Sequence, residues 1–300
     1  MILENIYDLI GNTPVVKLKN DENSAEIYVK LEFFNAGSSV KDRVARQMIF
    51  DLIKKGKINE NTMLVEPTSG NTGIGIAMLC SALSINFTAI MPETMSVERQ
   101  KLHLAYGAKL ILTEGALGMK GAIDKANELV KNDGAICLSQ FENEQNVIAH
   151  KETTAQEIIK DFDTLDAFVC GIGTGGTISG SGEVLKKHFN GISIIGVEPE
   201  ASPFLTKGEK GPHLIQGIGA GFCPKILNLD VVDEIKTVSN EDAIAFGRKS
   251  GVENGILLGI SGGASYKVAT DIAKKLGKGK KVLFLAPDNG ERYLSTKLYE

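Results

Sequence analysis

Short apolar runs rich in β-branched residues alternate with longer amphipathic segments along almost the whole chain. Apolar runs that polar residues do not interrupt are typical of strands buried on both faces of a parallel sheet. On this pattern we predict strands at 27–31, 62–66, 87–91, 109–113, 167–172, 192–198, 256–260 and 281–286.

The segments between these strands repeat apolar residues at the spacing of an amphipathic helix. We predict helices at 40–54, 72–84, 96–106, 119–131, 151–161, 177–189, 240–250 and 263–276. Strands that alternate with helices indicate parallel sheets flanked by helices, so the predicted fold class is α/β.

Two regions interrupt the alternation. Residues 139–154 are polar and aperiodic, and we interpret them as the crossing between two α/β units. Residues 199–228 form a long irregular segment, and loops of this length in compact domains are usually functional. We expect this segment to be a lid or an entrance wall.

Composition excludes several classes of partner. The chain has 300 residues and a formal net charge of −4, with basic and acidic residues interleaved, so we expect neither nucleic acid nor anionic membrane as a partner. No apolar window is long enough to cross a bilayer and the N-terminus does not resemble a signal peptide, which favours a cytoplasmic protein. The cysteines and histidines lack the spacing of metal ligands, so we expect no metal, and we expect the histidines to be surface or merely structural residues.

Hydroxyl and amide side chains crowd the turn that follows the strand at 62–66. In parallel α/β proteins ligands bind beyond the carboxyl ends of the strands, where helix N-termini offer free N–H groups. One capping side chain is enough for an ordinary turn. This turn has four: Thr68, Ser69, Asn71 and Thr72. We therefore predict an anion site suited to a carboxylate.

A glycine-rich turn follows the strand at 167–172. Its glycines allow the backbone to approach an anion closely, and its two threonines add hydroxyl donors. The residues of this predicted phosphate site are Gly173, Thr174, Gly175, Gly176 and Thr177.

The same turn fits a second interpretation. Gly171, Gly173 and Gly176 match G-x-G-x-x-G, and Glu198 ends the next strand, which is the pattern of a dinucleotide site. A nicotinamide-dependent dehydrogenase is therefore an alternative, although it leaves Lys41, Asn71 and Ser261 without a role.

Lys41 lies at the N-terminal end of a predicted helix, where the helix dipole disfavours an ammonium. The dipole and partial burial would both lower the pKa of its amine, and a neutral lysine amine can form a Schiff base. Ser261, taken alone, reads as a helix cap. A reactive lysine, a phosphate site, a carboxylate site and a serine on neighbouring turns together suit pyridoxal phosphate (PLP).

A series of motifs in collinear order resembles the cysteine synthase (O-acetylserine sulfhydrylase) family over nearly the whole chain. These motifs are "GNTP" (11–14), "GSSVKDR" (37–43), "EPTSGNTGIGIA" (66–77), "MPETMSVERQKL" (91–102), "GMKGAI" (118–123), "QFEN" (140–143), "GIGTGGT" (171–177), "GPHLIQGIGAGF" (211–222) and "GERYLST" (290–296). The resemblance implies the two-domain fold of the tryptophan synthase β subunit (fold type II), with PLP in the cleft between two α/β domains.

The resemblance also implies roles for residues that match the family's motifs. Lys41 would be the Schiff-base lysine, and Asn71 would bind both the cofactor's 3′ oxygen and the substrate. Gly173 to Thr177 would bind the cofactor's phosphate, and Ser261 would meet its pyridine nitrogen. The substrate carboxylate would be held by Thr68, Ser69, Asn71, Thr72 and Gln140.

The implied domains are a smaller mobile domain at 38–145 and a larger one formed by 1–37 and 146–300. The implied reaction replaces the acetate of O-acetyl-L-serine by sulfide to give L-cysteine, through an α-aminoacrylate intermediate. Two positions depart from the family pattern. Gly262 stands where a second serine is common, and Ser139 where a glutamine is common.

Alternatives within PLP chemistry stay open. A related β-replacement enzyme could use O-phosphoserine, or serine with homocysteine, although residues 199–228 contain no arginine to hold a phosphorylated substrate. A catalytically idle family member is a third interpretation. The resemblance further implies a homodimer and a partner, the C-terminal tail of serine acetyltransferase.

Overall fold

The computed structural model describes residues 2–68, 70–95 and 97–300. They divide into two compact units. The first comprises the residues up to Ile10 together with Asn35–Asn146, and the second comprises Gly11–Phe34 and Val147–Glu300.

The strands β1 to β10 are, in chain order, Val15–Lys17, Glu26–Leu31, Met63–Pro67, Asn86–Pro92, Lys109–Thr113, Ile136–Cys137, Ala167–Gly171, Ser193–Pro199, Glu234–Val238 and Lys281–Ala286. The helices α1 to α10 are Lys41–Lys54, Asn71–Ala82, Val97–Ala105, Gly118–Asp133, Gln145–Ala149, Ala155–Asp161, Gly176–His188, Phe204–Lys207, Asn240–Asn254 and Ile260–Leu276. A π-helical turn at His150–Thr154 joins α5 to α6.

The first unit contains a four-stranded sheet in the order β5-β4-β3-β6, and its neighbouring strands are parallel. One face of β3 presents Leu64 to a core that includes Met48 and Ile49 of α1 and Ile76 of α2. The opposite face presents Val65 to a cluster with Ala122 and Ala126 of α4. Helices therefore cover both faces of this sheet, as the uninterrupted apolar strands require.

The second unit contains a six-stranded sheet in the order β1-β2-β10-β7-β8-β9. Its neighbouring strands are parallel, except that β1 pairs antiparallel with β2. Its core joins strand residues such as Val29 and Phe284 to Ala264 and Tyr266 of α10. Tyr266 stacks on Phe284 with 5.4 Å between ring centroids.

The predicted α/β fold class is confirmed, and each predicted helix overlaps a helix of the structure. Ser239 caps α9 by accepting a hydrogen bond from the Asp242 N–H at 3.1 Å. Ser96, which directly precedes α3 and is a suitable N-cap residue by type, lies outside the described residues.

Some element predictions are wrong. The apolar run at 256–260 is not a strand: Leu258 makes an isolated bridge with Asn289, and α10 begins at Ile260. Short apolar runs do not distinguish a strand from the start of a buried helix. The prediction also missed β1, β6 and β9, which pairing with neighbours stabilises. It treated residues 145–150 as aperiodic although they are helical.

The unit boundaries differ from the domain prediction at the N-terminus. The family resemblance implies that residues 1–37 join the larger domain, whereas the segment up to Ile10 belongs to the first unit. There Tyr7 packs edge-on against Phe50 of α1. Mobility of the 38–145 domain stays a prediction. Within the described ranges, no helix combines the length and apolarity that crossing a bilayer needs.

Candidate functional site

Lys41 is the first residue of α1 and is partly buried. The preceding turn is held from within: the Lys41 N–H donates to Ser39 Oγ at 3.2 Å, and the Gly37 N–H donates to Asp42 Oδ2 at 2.7 Å. A Cβ on Gly37 would lie 2.7 Å from Asp42 Oδ1, so the turn requires glycine there. The structure thus fixes the backbone of the lysine at the N-terminal end of its helix.

In the sequence, Asp42 and Arg43 beside the lysine are typical of residues that serve helix capping and surface pairing. The capping of the turn by Asp42 is present, but both side chains are buried, at 0% and 2% exposure. Surface pairing is therefore the wrong interpretation.

The turn between β3 and α2 is organised by Thr68. Its Oγ1 accepts a hydrogen bond from the Gly73 N–H at 3.1 Å, across the first turn of α2. A Cβ on Gly73 would come within 2.3 Å of the Thr68 side chain and 2.4 Å of His103 Nε2. Glycine at 73 therefore allows Thr68 to reach the helix N-terminus. The predicted site residue Ser69 lies outside the described residues.

Thr72 and Gln140 meet although 68 positions separate them. The Thr72 hydroxyl donates to Gln140 Oε1 at 2.6 Å, and both residues are buried. We call Thr68, Thr72 and Gln140 the Thr-Gln cluster. Asn71, which begins α2, is partly buried beside it. The first unit thus brings hydroxyl and amide groups together at one helix N-terminus, the chemistry that binds a carboxylate.

The backbone at Gln140 is held from two sides. Its N–H donates to Glu66 Oε1 at 3.2 Å, and its carbonyl accepts from Asn146 Nδ2 at 2.8 Å. Ser139, the position that departs from the family pattern, has φ +55° and donates its N–H to Glu66 Oε2 at 2.8 Å. Serine at 139 therefore coexists with an ordered Gln140.

Glu66 is fully buried near the end of β3. Burial raises the pKa of its carboxyl to about 7, and the amide hydrogen bonds from Gln140 and Ser139 oppose that rise. A buried carboxyl with so high a pKa is a feature of functional sites, although networks that are only structural produce it too.

In the second unit the turn between β7 and α7 is built from glycine. A Cβ on Gly173 would lie 2.3 Å from the carbonyl oxygen of Gly217, and Gly175 has φ +86°. Gly176 begins α7, which has no side-chain hydrogen bond at its N-cap. We call Gly173–Thr177 the glycine loop.

Two threonines complete the glycine loop. Thr174 Oγ1 accepts from the Gly176 N–H at 3.4 Å, and Thr177 Oγ1 lies 3.2 Å from His150 Nε2. His150 is fully buried, and its other ring nitrogen lies 2.9 Å from Thr154 Oγ1. His150 is therefore not a surface residue: it supports a predicted site residue from within the core.

Ser261 is the second residue of α10 and is buried. The N-cap of this helix is Gly259, so reading Ser261 as the cap is wrong. A Cβ on the neighbouring Gly262 would lie 3.3 Å from Leu258 Cβ, so the glycine accompanies tight packing here.

Glu198 does not behave as the acidic residue of a dinucleotide site. It is buried, and its carboxylate accepts hydrogen bonds from the N–H groups of Leu205 and Thr206, at 3.0 and 3.1 Å, and from the Thr206 hydroxyl. It is thus committed to its own loop, which removes the feature that favoured a dehydrogenase.

The residues present fit pyridoxal phosphate. The glycine loop offers backbone amides at the N-terminus of a long helix, and Gly173 leaves no room for a Cβ beside the Gly217 carbonyl. In the first unit Lys41 has the amine that such a cofactor would need, and in the second unit Ser261 has a neutral hydroxyl. Among the described residues no His, Cys, Asp and Glu side chains cluster as metal ligands would.

Sequence reasoning missed Glu66 and His150. A carboxylate at the end of an otherwise apolar strand, directly before Pro67, was the signal for Glu66. For His150 no signal exists in the sequence, because its partner Thr177 lies 27 positions away and a π-helical turn determines the contact.

Comparisons with known proteins agree on one family. The model of the family "Pyridoxal-phosphate dependent enzyme" matches residues 6–288. The chain is 52% identical to a cysteine synthase of Staphylococcus aureus over 301 aligned positions, which cover 99% of this chain and 97% of the relative.

Solved structures agree with this similarity. The crystal structure of O-ureido-L-serine synthase superimposes with a TM-score of 0.97 and 42% identity, covering 100% of this chain and 96% of that one. The crystal structure of the cysteine synthase (OASS) from Entamoeba histolytica gives 0.96 and 42%, covering 100% and 91%.

Proposed function

Because this chain belongs to the family of pyridoxal-phosphate dependent enzymes, we propose that it is a cysteine synthase. It replaces the acetate of O-acetyl-L-serine by sulfide and gives L-cysteine, a transferase reaction. The observation that carries the proposal is the Thr-Gln cluster, in which Thr68 and Gln140 converge on the N-terminus of α2.

The chemistry that pyridoxal phosphate supplies when bound is an electron sink for a carbanion at the α-carbon of an amino acid. Lys41 Nζ is the amine that holds the cofactor. It also moves the proton between the α-carbon and the enzyme. The lysine therefore serves binding and catalysis with one nitrogen.

The Thr-Gln cluster, together with Asn71 and Ser69, holds the carboxylate of the amino-acid substrate. Hydroxyl and amide donors at a helix N-terminus favour a bound anion, and Thr72 and Gln140 support each other through their hydrogen bond. This arrangement fixes the orientation of the α-carbon relative to the amine that takes its proton.

The glycine loop would hold the phosphate, and the Ser261 hydroxyl would be the partner of the pyridine nitrogen. A carboxylate at that position would keep the nitrogen protonated and strengthen the electron sink, which favours transamination. A neutral hydroxyl leaves the sink weaker, and this favours elimination and addition at the β-carbon.

A substrate panel tests the proposal. The purified protein, loaded with pyridoxal phosphate, receives O-acetyl-L-serine, O-phosphoserine or serine, each with sulfide or homocysteine, and mass spectrometry identifies the product. We expect cysteine from O-acetyl-L-serine and sulfide at the highest rate. A higher rate with O-phosphoserine, or with serine and homocysteine, would move the assignment to the corresponding relative.

We also propose a cytoplasmic homodimer that binds the C-terminal tail of a serine acetyltransferase. The similarity to bacterial cysteine synthases supports this proposal. Light scattering of the purified protein measures its mass in solution. A mass equal to that of one chain, 32.2 kDa, would contradict the dimer.

A further inference from the structure

Glu66 connects the two chain segments that form the Thr-Gln cluster. It lies on β3, the strand that leads through Pro67 into Thr68 and α2. Its two carboxylate oxygens accept the N–H groups of Gln140 and Ser139, at 3.2 and 2.8 Å. One side chain therefore ties the backbone that carries Gln140 to the strand that carries Thr68.

In the part of the chain that the structure describes, Glu66 is the acceptor of the Gln140 N–H. The Gln140 carbonyl is held separately by Asn146, and its side chain by Thr72. Strand pairing between β3 and β6 stops at Val65 and Cys137, before this segment is reached. Without the carboxylate, the Gln140 and Ser139 amides would lose these acceptors, and the segment would lose one of its attachments to β3.

We propose that Glu66 is a positioning residue for substrate binding, because it fixes the Ser139–Gln140 backbone and thereby the Gln140 side chain that meets Thr72. The inference rests on the proposed function in so far as the Thr-Gln cluster binds the amino-acid carboxylate. Glu66 itself touches neither substrate nor cofactor in this scheme.

The surroundings of Glu66 contain few other ionisable groups. The Cys137 thiol lies 3.8 Å from Glu66 Oε2, and β4 places Ala89 opposite Glu66. Among the described residues of this unit, the other buried charged or ionisable side chains are Asp42 and Arg43 of α1, Cys80 of α2 and His103 of α3. The hydrogen bonds to the two amides are thus the main polar contacts of the carboxylate.

Glu66→Gln is the sharpest variant, because it keeps the size of the side chain and places an NH₂ donor against one of the two N–H groups. Glu198→Gln is a matched control: Glu198 is equally buried and also accepts two backbone N–H groups, but in the second unit. Both variants are compared with the native protein, loaded with pyridoxal phosphate.

The first readout is amide hydrogen exchange at Ser139 and Gln140, measured by NMR. Because these amides lose hydrogen bonds to a charged acceptor, we expect them to exchange about tenfold or more faster in Glu66→Gln. In Glu198→Gln we expect their exchange rates to equal those of the native protein. The second readout is a spectral titration with O-acetyl-L-serine. We expect the apparent Kd and the KM for O-acetyl-L-serine to rise about tenfold in Glu66→Gln. We expect kcat and the affinity for pyridoxal phosphate to stay within about twofold of the native values.

The inference is overturned if a folded Glu66→Gln protein has native amide exchange rates at Ser139 and Gln140 and native affinity for O-acetyl-L-serine. If that variant fails to fold, the native protein decides. Protection of both amides, corrected for intrinsic exchange, then decreases as the carboxylate is protonated, and constant protection from about pH 5 to about pH 9 overturns the inference. A native protein that ignores O-acetyl-L-serine refutes the proposed function, whereas the exchange data still decide the role of Glu66.

Discussion

The Thr-Gln cluster and the glycine loop occupy equivalent places in two different sheets, since each follows a parallel strand and opens a helix. They use different parts of the residues, side chains in the first and backbone in the second. The cluster depends on side chains, with the Thr72 hydroxyl on Gln140 and the Thr68 hydroxyl on the Gly73 amide. The glycine loop depends on the absence of side chains, because a Cβ at Gly173 would collide with the Gly217 carbonyl.

The difference teaches how each region should respond to substitution. Removing a hydroxyl from the cluster weakens one contact and leaves the backbone in place. Adding a methyl group to the glycine loop displaces the backbone itself. The cluster is therefore suited to adjusting affinity for a substrate, and the loop to holding a constant group such as a phosphate.

Lys41→Ala is expected to have the largest effect, because Lys41 supplies chemistry that neither region contains. We expect kcat to fall at least about a thousandfold, since the amine moves the proton. Steady-state assays measure the loss, and circular dichroism shows that the fold persists. The control is Lys54→Ala at the exposed end of the same helix. Comparable activity in both variants would contradict the role of Lys41.

Gly173→Ala tests the glycine loop. The new Cβ would lie 2.3 Å from the Gly217 carbonyl, so we expect the affinity for pyridoxal phosphate to fall about a hundredfold or more. Equilibrium binding followed by fluorescence measures it. Gly251→Ala in α9 is the control, because its Cβ meets the far end of the Leu257 side chain and alanine favours a helix. Equal affinities for the two variants would refute the packing argument.

The buried carboxyl of Glu66 should make the free energy of unfolding depend on pH. Burial raises the pKa of its carboxyl from the ordinary 4.5 to about 7 in the folded protein, so between these pH values the folded state binds more protons than the unfolded state. Its contribution is fully present below about pH 4.5 and is lost as the pH rises through about 7, by up to about 3 kcal/mol. Urea unfolding of the native protein and Glu66→Gln measures this difference. Parallel pH profiles of the two proteins would exclude it.

Thr72→Val and Thr177→Val compare the two regions directly. Each removes one hydroxyl, and we expect an effect of about tenfold or less in each case. In Thr72→Val the KM for O-acetyl-L-serine rises while cofactor affinity is unchanged. In Thr177→Val the cofactor affinity falls, because the hydroxyl beside His150 is lost. If both variants changed the same quantity, the separation of the two regions would be wrong.

Much of the fold was predictable because its signals are local. Apolar runs located β2, β4 and β10 to within one residue at each end, and helical spacing located α1 and α7. The failures have physical causes. The run at 256–260 is apolar because α10 begins there in the core, and β9 is a strand because β8 provides its hydrogen bonds.

In the candidate site, too, local features were predictable and long-range contacts were not. The turns at Thr68 and Gly173 were evident, because capping residues and glycines are visible in the sequence. The contacts that organise them were not, since Glu66 acts on amides 73 and 74 positions away, and His150 on a hydroxyl 27 positions away. Pairings over such distances depend on the packing of the whole unit.

The visible absorption spectrum of the purified protein tests the central claim most directly. We predict a violet band from the bound cofactor that shifts when O-acetyl-L-serine is added, returns when sulfide follows, and is absent in Lys41→Ala. A band that ignores O-acetyl-L-serine would contradict the substrate assignment. Absence of any band after incubation with pyridoxal phosphate would contradict the account as a whole.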